Sequence, residues 1–295
     1  VLYQASANSD AATVALVTPT SVNLTSTNFV GITAEAIADT ATGKVNPKGG
    51  VASSVANIAP LISFSAPTEF NNGNTEYIEI AFDPNNANKC VICYRDAAQS
   101  GYGKAIVGTV SGTSISWGSE QQFASTETDW VRMAFDPNTA GKFVIMWRDG
   151  AGPDGATIVG NVSGTSITYG AKTLFLAGAN QSADNIAFDT NKANSIILSY
   201  NYSNGGKVVE GTITGNSIAY GTTFSYANTT GHNWVAIDPS AAGKFALAYQ
   251  DGSDSSKGKV IMGQSSEALT TGSDYYLQVD GSVSTATASP AINIG

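Results

Sequence analysis

Histidine is nearly missing from this 295-residue chain, which has His232 alone, and cysteine is limited to Cys90 and Cys93. Structural zinc needs four ligands at recurring spacing, and a catalytic triad needs a histidine beside a serine elbow of the Gly-x-Ser-x-Gly kind. The sequence offers neither. Cys90-Val91-Ile92-Cys93 lies in a strand-like run where residues three apart point to opposite faces, so the pair reads as two structural thiols. Charge is scarce as well, with 14 Lys+Arg against 23 Asp+Glu, 13% charged residues and a net charge of −9. Without clustered Lys and Arg there is no surface to follow phosphates, which excludes nucleic acid and disfavours an anionic membrane. No apolar run reaches the roughly 18 residues that span a bilayer, so no membrane insertion is expected. The start Val1-Leu2-Tyr3-Gln4 lacks the charged and then apolar order of a secretory signal and reads as a trimmed or incomplete start. Phosphate loops are absent, and no cofactor or metal is expected.

What is abundant is Ser, Thr, Asn and Gly, a composition usual in all-β proteins that work outside cells. The chain is long enough to bury roughly three quarters of its unfolded surface. Its organising feature is an internal repeat. An anchor runs Phe82-Asp83-Pro84, Phe135-Asp136-Pro137, Phe188-Asp189-Thr190 and Ile237-Asp238-Pro239, with steps of 53, 53 and 49 residues between the aspartates. Thirteen residues after each Phe or Ile stand Arg95, Arg148, Asn201 and Gln250, each preceded by an aromatic: Tyr94, Trp147, Tyr200 and Tyr249. A third marker, the Gly-Thr-Val-Ser-Gly-Thr-Ser of 108–114, returns at 160–166 and 211–217.

Each unit resolves into four strand-like runs bounded by Gly, Asn, Asp or Pro; in the first unit they are Ile62 to Phe70, Tyr77 to Phe82, Cys90 to Tyr94 and Ala105 to Val110. Ile78, Ile80 and Phe82 alternate onto one face, as do Val131, Met133 and Phe135, which predicts half-buried antiparallel strands. Four short strands per roughly 50 residues is the signature of a β-propeller blade. The expected fold is therefore all-β: a four-repeat β-propeller over 61–265, with a small β module made of 1–60 and 266–295 and split by the propeller. In that arrangement the run at 61–70 seals the ring beside Lys259-Val260-Ile261-Met262-Gly263. The alternative is a β-solenoid or an open repeat array. Ala34 to Ala38 is expected to form one turn, and a hairpin turn is expected near Asp280-Gly281.

The Asp-Pro anchors are turn devices, Asp bonding local backbone and Pro fixing φ. Asp96 and Asp149 follow Arg95 and Arg148 and open Gly- and Ser-rich loops, which read as solvated turns or as oxygen ligands for calcium without any known calcium-loop spacing. Tyr77, Trp130, Ala183 and His232 share one position, five residues before the anchor. Aromatics there could stack on sugar rings while Arg95, Asp96, Arg148 and Asp149 bond hydroxyls; cross-strand packing is the alternative. Tyr77, Trp130, His232, Arg95, Asp96, Arg148 and Asp149 are thus the candidate ligand-binding residues, and no catalytic residue stands out.

The repeat Phe-Asp-Pro-Asn-x-x-x-Lys-Phe-Val, Tyr/Trp-Arg-Asp, Ala-x-Ile-Val-Gly-x-Val-Ser-Gly-Thr-Ser-Ile-Ser resembles repeats in tail-fibre and other virion-surface proteins of marine bacteriophages, over about 61–265. The flanks around Asn28 to Ile37 and Leu269 to Gln278 look like halves of one small module in similar proteins. The resemblance implies a non-enzymatic virion-surface subunit, a tail fibre or capsid decoration, that is homo-oligomeric, contacts other virion proteins and binds host surface glycans. The alternative is an extracellular bacterial adhesion or filament protein. The third unit departs most from the pattern, with Thr190 in place of Pro and Asn201-Tyr202 in place of Arg-Asp.

Overall fold

In a computed structural model, the described residues are 64–152, 154–178 and 181–265, together with the backbones of a few short flanking strands. The chain divides into two compact units, Val1–Phe64 and Ser65–Gly295. In the first, β1 (Leu2–Gln4) pairs antiparallel with β2 (Val14–Leu16), and β3 (Gly31–Thr33) with β4 (Val45–Pro47). The turn expected at Ala34 to Ala38 lies outside the described residues.

The second unit is built from the repeat. Its first sheet holds β5 (Thr75–Phe82), β6 (Lys89–Asp96), β7 (Tyr102–Ser111), β8 (Ser114–Trp117) and β9 (Gln121–Ala124). The second holds β10 (Thr128–Phe135), β11 (Lys142–Asp149), β12 (Asp154–Ser163), β13 (Ser166–Tyr169) and β14 (Thr173–Leu176). The third holds β15 (Gln181–Phe188), β16 (Ser195–Tyr202), β17 (Gly205–Thr214), β18 (Ser217–Tyr220) and β19 (Phe224–Ala227). The fourth has only β20 (Thr230–Ile237), β21 (Lys244–Asp251) and β22 (Lys257–Gln264). Every pairing is antiparallel, and no α-helix occurs among the described residues. Three further short strands follow, β23 (Tyr276–Leu277), β24 (Val283–Ser284) and β25 (Ile292–Asn293); β23 pairs with both others, and β23 and β24 flank the expected hairpin position.

In the three complete sheets the outer edge of the long third strand is shared: β7 pairs with β8 near one end and with β9 near the other. The Ser-Gly-Thr-Ser marker is the two-residue turn between third and fourth strands. Ser111 pairs with Ser114 across Gly112, and Gly112, Gly164 and Gly215 hold φ near +60° (61, 63 and 60°) as such turns require. The fourth sheet has no such hairpin among the described residues, which accounts for the marker's absence after the third unit.

Consecutive sheets pack face to face. Val91, Cys93, Ala105 and Val107 of the first sheet bury Val131, Met133, Phe135, Ile145 and Trp147 of the second. Val144, Met146 and Val159 in turn meet Ile186, Phe188, Ile196 and Leu198, and Ile197 and Val208 meet Val235, Phe245 and Leu247. Each large apolar side chain buried in this way contributes about 2 kcal/mol. Both cysteines are buried, free thiols of β6.

Two expectations are corrected here. The strand expected at 62–70 is irregular chain over its described part, 64–70, while 61–63 lie outside the described residues. Among the described residues it does not seal a ring, because there β22 pairs with β21 alone. The face of Ile78, Ile80 and Phe82 is not half-buried either: the three are 51%, 53% and 60% exposed. Their counterparts Val131, Met133 and Phe135 are buried because the first sheet covers them, and among the described residues no sheet covers Ile78, Ile80 and Phe82 in this way.

Candidate functional site

The shared position five residues before the anchor is a backbone irregularity. Glu76 pairs with Arg95 and Glu79 with Cys93, so Tyr77 and Ile78 together oppose Tyr94. The same bulge recurs between Asp129 and Arg132 and between Gly231 and Trp234. At its first residue the chain is left-handed: Tyr77 has φ 49°, Trp130 47° and His232 53°. Side chains other than glycine hold this conformation at a cost, and bulges that do so re-aim a side chain out of the sheet's alternation. In the third sheet the extra residue is Asp184, beside Ala183, and no left-handed residue occurs there.

The bulges bring Tyr77 and Trp130 together, with ring centroids 6.5 Å apart at 57°. The Arg148 guanidinium lies 4.3 Å from the Trp130 ring, and that of Arg95 lies 6.0 Å from Tyr77, so each aromatic carries a cation on its face. Asp129, almost wholly buried, holds both cations: it accepts from Arg95 Nη1 at 2.5 Å, from Arg148 Nε at 3.1 Å and from Arg148 Nη2. Arg95 also pairs with Glu127 at 2.6 Å and Glu76 at 3.5 Å. The result is a shelf across the first two sheets, two rings backed by a fixed Arg-Asp-Arg bridge.

Asp96 and Asp149 face away from this shelf's chemistry. Asp96 is buried and caps the short 3-10 turn Ala97–Gln99, accepting from the Ala98 and Gln99 amides. Asp149 accepts from Thr126 Oγ1 at 2.5 Å, the Ala151 amide at 3.2 Å and Lys172 Nζ at 2.7 Å. Burial raises its pKa, yet these bonds outweigh burial and hold it below the usual carboxylate range. Asp251 is held similarly, by Lys259 and Ser253. These aspartates organise loops, and among the described residues no cluster of His, Cys, Asp and Glu fit to hold a metal occurs.

The anchor aspartates do more than the turn chemistry expected of them. Asp83 Oδ1 accepts from the Asn85 amide at 2.9 Å, but its Oδ2 accepts from the Gly141 amide of the next sheet at 2.7 Å. Asp189 repeats this with Gly243 at 2.5 Å.

Sequence reasoning missed a second group along β5, β10, β15 and β20. Arg132 donates from Nε to the Asp184 carbonyl at 2.9 Å. Asp184 accepts from Ser182 Oγ at 2.7 Å and Asn233 Nδ2 at 2.6 Å. Burial raises the Asp184 pKa against those bonds and the charges of Arg132 and His232, and it raises Glu79 against Arg132. His232 stands in β20 next in sequence to Asn233, the donor to Asp184. The available signal was a charged or amide residue three or four places before each anchor, at the start of the strand's apolar half.

No family model and no curated protein matches the chain. Solved structures similar to it include exo-β-1,3-galactanase from Phanerochaete chrysosporium with galactose, at TM-score 0.40 and 12% identity, covering 64% of this chain and 47% of that one. A Glu-to-Gln form of the same enzyme with β-1,3-galactotriose matches at TM-score 0.40 and 13% identity, covering 70% and 51%. The chain thus spans about half the length of the galactanase chains it matches. The expectations of a non-enzymatic virion-surface subunit and of no enzyme activity are corrected by this finding, since the similar solved structures are enzymes acting on carbohydrate. A likeness at this TM-score assigns no residue, substrate or reaction here.

Proposed function

We propose that the chain binds carbohydrate on the Tyr77 and Trp130 shelf, with the four sheets serving as blade-like units of an open array whose first strands are β5, β10, β15 and β20. The supporting observation is the left-handed bulge that turns two adjacent aromatics out of the sheet alternation and fixes them over Arg95 and Arg148. Sugar rings present apolar C–H faces to aromatic rings, and their hydroxyls bond guanidinium and carboxylate groups. Asp129 prevents the two cations from collapsing onto the ligand or drifting from the rings.

A second reading, cleavage of the bound glycoside, is favoured by Glu79 and Asp184. Burial raises the pKa of both carboxyls, and the charge of Arg132 opposes the rise in each; an upward-shifted carboxyl is what glycoside cleavage requires of its general acid.

The test is titration of the purified chain with an oligosaccharide panel, galactans included, followed by chromatography of the same mixtures. Tyr77→Ala and Trp130→Ala should each weaken binding about tenfold, or about 1.4 kcal/mol. Absence of binding across the panel, or variants that bind like the parent chain, overturns the binding reading. Release of shorter sugars that Glu79→Gln and Asp184→Asn abolish, with binding kept, supports cleavage; unchanged oligosaccharides refute it.

A further inference from the structure

We propose that copies of this chain associate head to tail, the outward face of the fourth sheet in one copy covering the outward face of the first sheet in the next. The chain obeys one packing rule at each internal junction. The face of a sheet that carries Val91, Cys93, Ala105 and Val107, or their counterparts, always covers the face of the following sheet that carries Val131, Met133 and Phe135, or theirs.

Among the described residues this rule is unmet at the two ends of the array, and the unmet faces are of opposite kinds. The first sheet presents the to-be-covered face with Ile78, Ile80 and Phe82 exposed. By strand register the covering face of the fourth sheet is Trp234, Ala236, Ala246, Ala248, Val260 and Met262. There Trp234, Val260 and Met262 are 55%, 68% and 56% exposed. Exposed apolar side chains contiguous on a sheet face mark an interaction surface, and the occupant each face accepts is already present in the chain three times.

A polar feature supports the same partner. Asp83 and Asp189 each receive an amide from the left-handed residue of the next sheet, Gly141 and Gly243. The fourth sheet's equivalent, Asp238, receives no such amide among the described residues; it lies 3.6 Å from Lys244 with its side chain 26% exposed. The first sheet's equivalent of Gly141 is Asn88, left-handed at φ 65°. Asp238 of one copy and the Asn88 amide of another thus complete the pair made inside the chain at two junctions. The second sheet's Asp136 does not make it, and its buried Oδ2 is without a partner. The contact is heterologous, so it forms a ring if the rotation closes and a filament if it does not.

The test is light scattering after size exclusion on the full chain over a wide concentration series, together with Ile80→Asp and Met262→Asp, whose sites are exposed in one copy. Thermal melts confirm that both variants fold. The parent chain should run as two or more copies and each variant alone as a single copy. Mixing the two should give a one-to-one dimer that grows no further, because each variant retains the face the other has lost. A monomeric parent chain at every concentration overturns the proposal, as do variants that stay oligomeric. A mixture that stays monomeric overturns it as well, since the two retained faces then fail to pair; a face pairing with itself would leave one variant dimeric on its own.

Discussion

Replacing Asp129 probes the candidate shelf and the junction between the first two sheets together. Its carboxylate accepts from Arg95 in the first sheet at 2.5 Å and from Arg148 in its own sheet, Nε at 3.1 Å. Removing one partner of a buried ion pair costs about 3–5 kcal/mol. Here the arginine side chains are 18% and 25% exposed, and Arg95 keeps Glu127 and Glu76. Water therefore recovers part of the loss, and Asp129→Ala should cost about 2 to 3 kcal/mol. Asn keeps the shape and one acceptor, so Asp129→Asn should cost about 1.5 kcal/mol. In a domain of this size each kcal/mol moves the melting temperature by about 3 °C, which puts the Ala variant about 6 to 9 °C lower by calorimetry. Because the carboxylate is buried, the deficit should persist in molar salt, unlike that of an exposed pair. A double-mutant cycle with Arg148→Ala should give a coupling above about 1 kcal/mol. A fall of less than about 2 °C for Asp129→Ala, or a deficit that salt erases, would show that the bridge is a surface decoration and refute the reasoning.

Three further outcomes can be checked directly. A methyl group at Gly155 would lie 2.4 Å from the Phe175 ring; Gly155→Ala should cost about 2 kcal/mol by overpacking, whereas Gly112→Ala, in open space at φ +61°, should cost about 1 kcal/mol by urea denaturation. The hydrogen bonds of Lys259 and Ser253 hold Asp251 down at about 2, below the ordinary 3.8. The stability it contributes is therefore complete above the unfolded value and lost as pH falls through about 2, so Asp251→Asn should flatten the acid limb of a melting-temperature profile. Burial raises the pKa of both Cys90 and Cys93; the native chain should resist an aromatic disulfide reagent, and both thiols should react once it is unfolded.

Much of the fold was legible because the repeat fixes strand positions and the period of two fixes faces. β5, β6 and β7 extend the expected runs by a few residues at their ends. What the repeat could not convey is which copies have neighbours. Ile80 and Met133 occupy the same place in the pattern, yet one is exposed and the other buried, because a sequence motif records the side chain and not what covers it. The candidate shelf was legible in residue type at Tyr77 and Trp130. It was illegible in mechanism, because neither residue type announces a left-handed φ, which tertiary packing imposes. Asp129 escaped notice for a related reason: it falls outside every marker, and its importance comes from two arginines 34 and 19 residues away. Asp96 and Asp149 were conspicuous for the wrong reason, since caps and ligand groups use the same residue type.

The way each sheet is closed bears on how the chain is made. The widest strand pairing in the first sheet joins partners only 21 residues apart, Thr75 with Asp96 and Gly103 with Ala124. A sheet can therefore complete its hydrogen bonds soon after its last strand leaves the ribosome, without waiting for the distant end of the polypeptide. Synthesis would lay the sheets down one at a time, each newcomer finding a finished apolar wall to settle on.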